Sequence, residues 1–322
     1  MPISLAVYSS SAKMGVEALT PFLVLWYFLI YPRIGDSEYT LNLRWCRMLY
    51  RVGSSLPEYR LKACIDTTNS NNRMQDNGYA RRYGFSAGLV PGISVFSYMS
   101  RTVVEFLGRD WLERGYAEVR FIHPVYEGED IHITGSVSSI TDEGALLLDY
   151  QASNSQGATC GIGIAQLPPK APTPEPSLSD YPPGHAKLHR PLYLESLNVG
   201  ERLTPIKSDF TWNIHWQYCQ KSIRDHHPLY QKVLHPGWLV SRASRILDAN
   251  YTIQAWIDVA SQIQIFNIQE VECTVETRGR VLAKYQREEN HFIVLDLAVF
   301  SKKRCLATIR YTAIFRIAPI AA

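Results

Sequence analysis

The sequence predicts an α+β protein made of two tandem copies of one unit, each a central helix wrapped by an antiparallel sheet, with both sheets joined into one continuous sheet. Three observations lead there: self-similarity at a spacing near 147 residues, the same order of segments in each copy, and a proline-rich joint between them.

The self-similarity rests on four short matches in the same order. "VGSSLPEY" begins at Val52 and "VGERLTPI" at Val199, 147 residues apart, and "LVPG" begins at Leu89 and "LHPG" at Leu234, 145 apart. "LLLD" ends at Asp149 and "IVLD" at Asp296, again 147 apart, while Ala158-Thr159 and Ala307-Thr308 are 149 apart. The expected boundaries are an N-terminal extension over 1–51, a first repeat over 52–167, a linker over 168–190 and a second repeat over 191–318. Within the linker, "PPKAPTPEPSLSDYPPG" (168–184) holds seven prolines and no apolar run, which describes an extended surface segment long enough to cross one face of a repeat.

The extension comes first in the chain. Residues 22–31, "FLVLWYFLIY", are ten apolar or aromatic positions in a row, shorter than the roughly 20 residues of a spanning helix. No small-residue cleavage site follows, so a signal peptide fits poorly. Packing on the body, an upstream extension, a membrane-surface anchor through residues 16–31 and a short spanning segment all stay open.

Each repeat then opens with a strand, "EYRLKACI" from Glu58 or "LTPIKSDFTW" from Leu203, followed by a polar region. Pro-Gly next introduces an apolar helical stretch, "ISVFSYMSRTVVEFLG" or "WLVSRASRILDANY", with Gly108 and Asn250 as expected stops. Runs with β-branched and aromatic alternation follow: "AEVRFIHPVY", "DIHITGSVSSI", "ALLLDYQAS" and "ATCGIGIAQL", then "VASQIQIFNI", "VECTVETRGRV", "FIVLDLAVF" and "LATIRYTAIFRI". One helix and four antiparallel strands predict a sheet wrapped around the helix. Two such units side by side bury the sheet edges between them.

Composition narrows the function. The formal charge of +3 comes from 33 basic and 30 acidic residues that are interspersed, with only Arg81-Arg82 and Lys302-Lys303-Arg304 as basic clusters, so a nucleic-acid surface is not expected. Six cysteines stand far apart with no C-x-x-C pair and read as reduced thiols of a cytoplasmic protein. Gly-x-Ser-x-Gly, Walker and Rossmann patterns are absent.

"YARRYGFSAGLVPG" (79–92), "WLERGYAEVRFIHPVYEGEDIHITGSV" (111–137), "LHPGWLVSRASRIL" and the closing "IRYTAIFRI" together resemble the MaoC-like hydratase and dehydratase family. Its members have the hotdog fold, here duplicated as a double hotdog, and the likeness covers about residues 52 to 316. The resemblance implies a tunnel for an acyl chain carried as a coenzyme A or carrier-protein thioester. In such hydratases a loop of the form Asp-x-Asn-Pro-Leu-His supplies an Asp and a His that handle water and a proton. A backbone N–H at the start of the central helix holds the thioester oxygen, because unpaired N–H groups there stabilise negative charge. Gly92 occupies that place.

Laid on the first repeat, the family loop puts Ser70 where the Asp belongs, keeps Asn72, and puts Gln75 where the His belongs. A hydroxyl and a neutral amide do not titrate near neutral pH. Asp76, next to Gln75, is then the carboxylate at hand. Tyr79 and Tyr83 join Gly92 as candidate substrate contacts. In the second repeat "DHHPLY" keeps Asp225, Pro228 and Leu229 of the pattern, with His227 for Asn and Tyr230 for His. Its register is offset, since Tyr230 precedes Pro236 by 6 residues and Gln75 precedes Pro91 by 16. His227 and His235 are further substrate-binding candidates because imidazoles titrate in the useful range.

Each residue also has a structural reading. Ser70 and Asn72 are residues that cap helices, Gln75 fits a hydrogen-bonded loop, and Arg81 and Arg82 are either solvated surface or a phosphate contact. A metal centre at His226, His227 and His235 is disfavoured, because adjacent helical residues point apart and no Cys or Glu stands at ligand spacing. No metal and no cofactor is expected.

Three functions follow. The first is a MaoC-like lyase acting on a hydrophobic acyl or polyketide-like small molecule, with a degenerate catalytic dyad. The second is a repurposed isomerase or cyclase for a polyketide or terpenoid in secondary metabolism, including pericyclic reactions of Diels–Alder type, which need orientation more than proton transfer. The third is a non-catalytic acyl-binding protein. A homodimer stays open as a partner.

Overall fold

The computed structural model describes residues 50–65 and 71–318. Ser70 and the apolar run at 22–31, with the membrane reading attached to it, lie outside them. In the first repeat β1 (Tyr59–Lys62) leads through the short α1 (Asn77–Arg81) to the central helix α2 (Gly92–Arg114), then to β2 (Tyr116–Phe121), β3 (Asp130–Ile140), β4 (Leu146–Asn154) and β5 (Thr159–Leu167). After the linker strand β6 (Arg190–Pro191), the second repeat runs β7 (Ile206–Phe210), α3 (Trp212–Gln217), the central helix α4 (Pro236–Asn250), β8 (Tyr251–Thr252), β9 (Ile257–Ile265), β10 (Cys273–Arg287), β11 (Asn290–Ser301) and β12 (Arg304–Arg316).

The expected single sheet is present: ten strands in the order β1-β3-β4-β5-β2-β9-β12-β11-β10-β7. Each half has the same internal order, and the halves meet where β2 pairs antiparallel with β9, Tyr116 opposite Gln264 and Arg120 opposite Ala260. Alternation decides which face turns inward: Ala117 and Val119 are fully buried, whereas Arg120 beside them faces solvent. The inner face wraps α2, whose Phe96, Val103, Val104 and Trp111 are 0% exposed. Strand β5 passes so close to this helix that a Cβ on Gly161 would stand 2.9 Å from Met99 Sδ.

Two helix ends differ in outcome. Asn250 does end α4, its side chain donating to Ile246 O and Thr204 O at 3.0 Å each. Gly108 does not end α2. It takes φ 64° and ψ −147°, a kink after which the helix resumes to Arg114, because Trp111 and Leu112 continue the buried apolar face. The proline-rich linker lies on the outer face of the second repeat, where Leu178 and Tyr181 pack on Ala298, Phe300 and Cys305. Tyr181 fixes it there by a 3.2 Å hydrogen bond to Asp296. Among the described residues, no helix is long and apolar enough to cross a membrane.

Candidate functional site

The second repeat's polar region is a chain of short turns, each with its own cap. Thr211 caps α3, a π turn covers Tyr218–Ser222, and His227 caps a 3-10 turn over Pro228–Gln231 by accepting from the Leu229 N–H through Nδ1 at 3.2 Å. These turns hold Asp225 against the first repeat's helix. Asp225 is 1% exposed. Its Oδ1 accepts from Arg101 Nη1 on α2 at 2.7 Å and from the His227 N–H at 2.9 Å, and its Oδ2 faces His235 Nε2 at 3.4 Å. Burial works to raise the Asp225 carboxyl, but hydrogen bonds from His235 and Arg101 and the His227 N–H outweigh it and bring it to about 2. Asp225 is therefore an anion at neutral pH.

His235 is 0% exposed, and burial lowers its imidazole despite the Asp225 charge. Both ring nitrogens are committed. Nδ1 accepts from the Gly237 N–H at 3.0 Å, which leaves the proton on Nε2, directed at Asp225. His235 thus orients the carboxylate and caps α4. Tyr230 stacks on it at a tilt, ring centres 4.3 Å apart, with His227 5.6 Å from the same ring. The Tyr230 hydroxyl is buried and has no hydrogen-bond partner among the described residues. Burial first, and the Asp225 charge second, raise it well above the ordinary phenol value, so it keeps its proton. Burial likewise lowers His227.

Ser97, one turn before Arg101 on α2, shares a 2.8 Å hydrogen bond with the Tyr218 hydroxyl. Both oxygens lie against the start of α4, where a Cβ on Gly237 would collide with Ser97 Oγ and come 2.7 Å from Tyr218 Oη. The structure therefore brings together Asp225, His227, Tyr230 and His235 of the candidates, and adds Arg101, Ser97 and Tyr218. A signal for Arg101 was present: Ser97, Arg101 and Glu105 follow at a four-residue spacing and so share one face of the helix.

The first repeat's candidates do different work. Asn72 caps a 3-10 turn over Arg73–Gln75, accepts from the Met74 and Trp256 N–H groups at 3.2 and 3.1 Å, and donates to Trp256 O at 2.9 Å. It fastens its loop to the second repeat. Gln75 is buried at the end of that turn. Asp76 is exposed and caps α1 by accepting from the Tyr79 N–H at 2.7 Å. Tyr79 and Tyr83 hold each other through their hydroxyls at 3.3 Å in a small cluster with Met74 and Leu89.

The start of α2 is occupied by a side chain. Asp258 of β9 accepts from the Ile93 N–H at 3.2 Å, receives the Tyr311 hydroxyl on its other oxygen, and stands where a Cβ on Gly92 would approach its Cβ to 2.8 Å. Burial raises its carboxyl, with Tyr311 and the Ile93 and Gly92 N–H groups opposing. Both helix N-termini are thus capped from within the chain. Among the described residues no group of three or more His, Cys, Asp or Glu side chains is placed to hold a metal.

No protein-family model matches the sequence, and no curated protein matches it. Solved structures do match. A protein described as a MaoC domain dehydratase from Chloroflexus aurantiacus superposes with a TM-score of 0.60 at 14% identity, over 83% of this chain and 95% of that one. A Mycobacterium tuberculosis protein with a double hotdog fold, essential for bacterial survival during infection, gives 0.56 at 12% identity over 83% and 99%. A MaoC-like dehydratase gives 0.53 at 12% identity over 81% and 98%. With two repeats, one ten-stranded sheet and a central helix in each half, the chain is a double hotdog protein, its fold shared with MaoC-like dehydratases.

Proposed function

We propose that the chain is a lyase of the hydratase/dehydratase type, acting on a hydrophobic acyl or polyketide-like small molecule at the Asp225 cluster. The observation that carries this reading is the buried Tyr230 hydroxyl, without a hydrogen-bond partner among the described residues, near the Asp225 carboxylate. A carboxylate that accepts a proton and a phenol that donates one form an acid–base pair in which Tyr230 stands where the family loop has His. In the dehydration of a 3-hydroxyacyl substrate, Asp225 takes the proton from the carbon next to the carbonyl. The Tyr230 hydroxyl protonates the departing oxygen, the carbon–carbon double bond forms, and water leaves. Proton return from Asp225 to the Tyr230 oxygen resets the pair. Arg101 and His235 hold the carboxylate in place.

A second reading, a cavity for isomerisation or cyclisation, is favoured by one observation: Asp258 caps α2 and His235 caps α4, so the backbone donors that hold a thioester oxygen in the family loop scheme are engaged by side chains. The two separate on purified protein given 3-hydroxyacyl and enoyl thioesters or, separately, unactivated polyenes. Turnover of thioesters that Tyr230→Phe lowers at least a hundredfold supports the lyase. Turnover of polyenes alone supports the cyclase, and tight binding without turnover of either supports a non-catalytic acyl-binding protein.

A further inference from the structure

The second repeat buries a positive charge that no carboxylate among the described residues answers. Arg242, on α4, is 8% exposed. Its Nη1 donates to Ser208 Oγ at 3.1 Å and its Nη2 to Ser241 Oγ at 3.0 Å, both neutral acceptors. Its Nε is buried with no hydrogen-bond partner among the described residues. The guanidinium lies 3.9 Å over the Trp238 ring, and Trp238 in turn packs on Phe210 with ring centres 4.0 Å apart. Burial and the neighbouring Arg245 charge bring Arg242 down to about 9, and it remains charged at neutral pH.

A guanidinium in such surroundings is costly unless an opposite charge meets it. The buried carboxylates of the same repeat among the described residues are taken elsewhere, Asp225 by Arg101 and Asp258 by the Ile93 N–H and the Tyr311 hydroxyl. The planar fork is suited to a carboxylate. The Ser241 hydroxyl, having accepted from Arg242, gives its own proton to Trp238 O at 2.7 Å, whereas the Ser208 hydroxyl still has its proton to donate. A single anionic group at this place would meet the free Nε–H and the Ser208 hydroxyl, beside the Trp238 ring. Ser208 lies on β7, an edge strand of the sheet, and is itself half-buried.

We propose that Arg242 is the receptor for the carboxylate of an amphipathic small acid, with Ser208 as a supporting donor and the Trp238 and Phe210 rings against its apolar part. The receptor does not depend on the chemistry at Asp225, since binding is read without turnover.

The test uses the full chain, with thermal unfolding and isothermal titration against octanoate and dodecanoate, their methyl esters, and inorganic phosphate. The acids should bind at one site and raise the melting temperature, and the esters should not. Arg242→Met should weaken acid binding at least tenfold while melting no lower than the parent, since it removes an unanswered charge and keeps an apolar stem of similar length. Should that variant fail to fold, Ser208→Ala should weaken acid binding several-fold in a folded protein. Equal stabilisation by acids and esters, acid binding unchanged by these substitutions, or a response to phosphate alone would overturn the assignment.

Discussion

Asp258 Oδ2 accepts a hydrogen bond from the Ile93 N–H at 3.2 Å across 165 residues of sequence. A carboxylate of the second repeat thereby closes the N-terminus of the first repeat's central helix. Asp258→Ala would leave the Ile93 N–H and the Tyr311 hydroxyl buried without an acceptor, at about 1–3 kcal/mol each. Chemical unfolding should show a loss of that order. Asp258→Asn, which keeps one acceptor oxygen, should lose less.

The Tyr230 hydroxyl has no hydrogen-bond partner among the described residues, so Tyr230→Phe should leave the melting temperature unchanged or slightly higher. Turnover of a thioester substrate should still collapse. A destabilised variant with full activity would make the hydroxyl structural.

Arg101→Met strands the Asp225 carboxylate, which is 2% exposed in its side chain. Breaking a buried pair from one side costs about 3–5 kcal/mol. The double variant with Asp225→Asn should recover part of that loss, measurable as a coupling energy in a double-mutant cycle.

Asp225 falls from an ordinary value of 3.8 to about 2 on folding. The stability it contributes is therefore complete above about pH 4 and is lost as pH falls through 2, a contribution of about 2 kcal/mol by linkage. The difference in urea stability between the parent chain and Asp225→Asn should shrink on going from pH 6 to pH 3. Asp258, raised on folding, works in the opposite sense, its stability contribution falling as pH rises past the ordinary carboxylate range, so an Asp258→Asn background should sharpen the acid loss.

Asp76 caps α1 from an exposed position. Asp76→Asn keeps that cap and should change neither stability nor turnover, whereas Asp76→Ala should cost about 1 kcal/mol. Abolished turnover in Asp76→Asn would return the chemistry to the first repeat's loop.

The fold was legible because duplication writes the same pattern twice: strand periodicity and Pro-Gly helix starts recur at one spacing, and eight strand-like runs became the eight long strands of the sheet. Gly108 misled because a glycine that permits positive φ serves a kink as well as a stop, and only the buried Trp111 beyond it decides. Within the site, Asp225, His227 and Tyr230 were visible as one contiguous loop. The spacing of Ser97 and Arg101 was visible, but the pairing of Arg101, Ser97 and Asp258 was not, because their partners lie 124, 121 and 165 residues away and no local rule joins residues so distant in sequence.

The cap on α2 also bears on synthesis. Translation delivers the first repeat's helix long before residue 258 leaves the ribosome, and until then the Ile93 N–H lacks its acceptor and β2 lacks its neighbour β9. An emerging first repeat is thus an open-edged, unsealed half whose completion waits on its sibling. Ribosome-bound chains truncated before and after Asp258 should differ sharply in protease resistance, and a stop codon in the linker should yield a fragment that needs the second repeat supplied in trans.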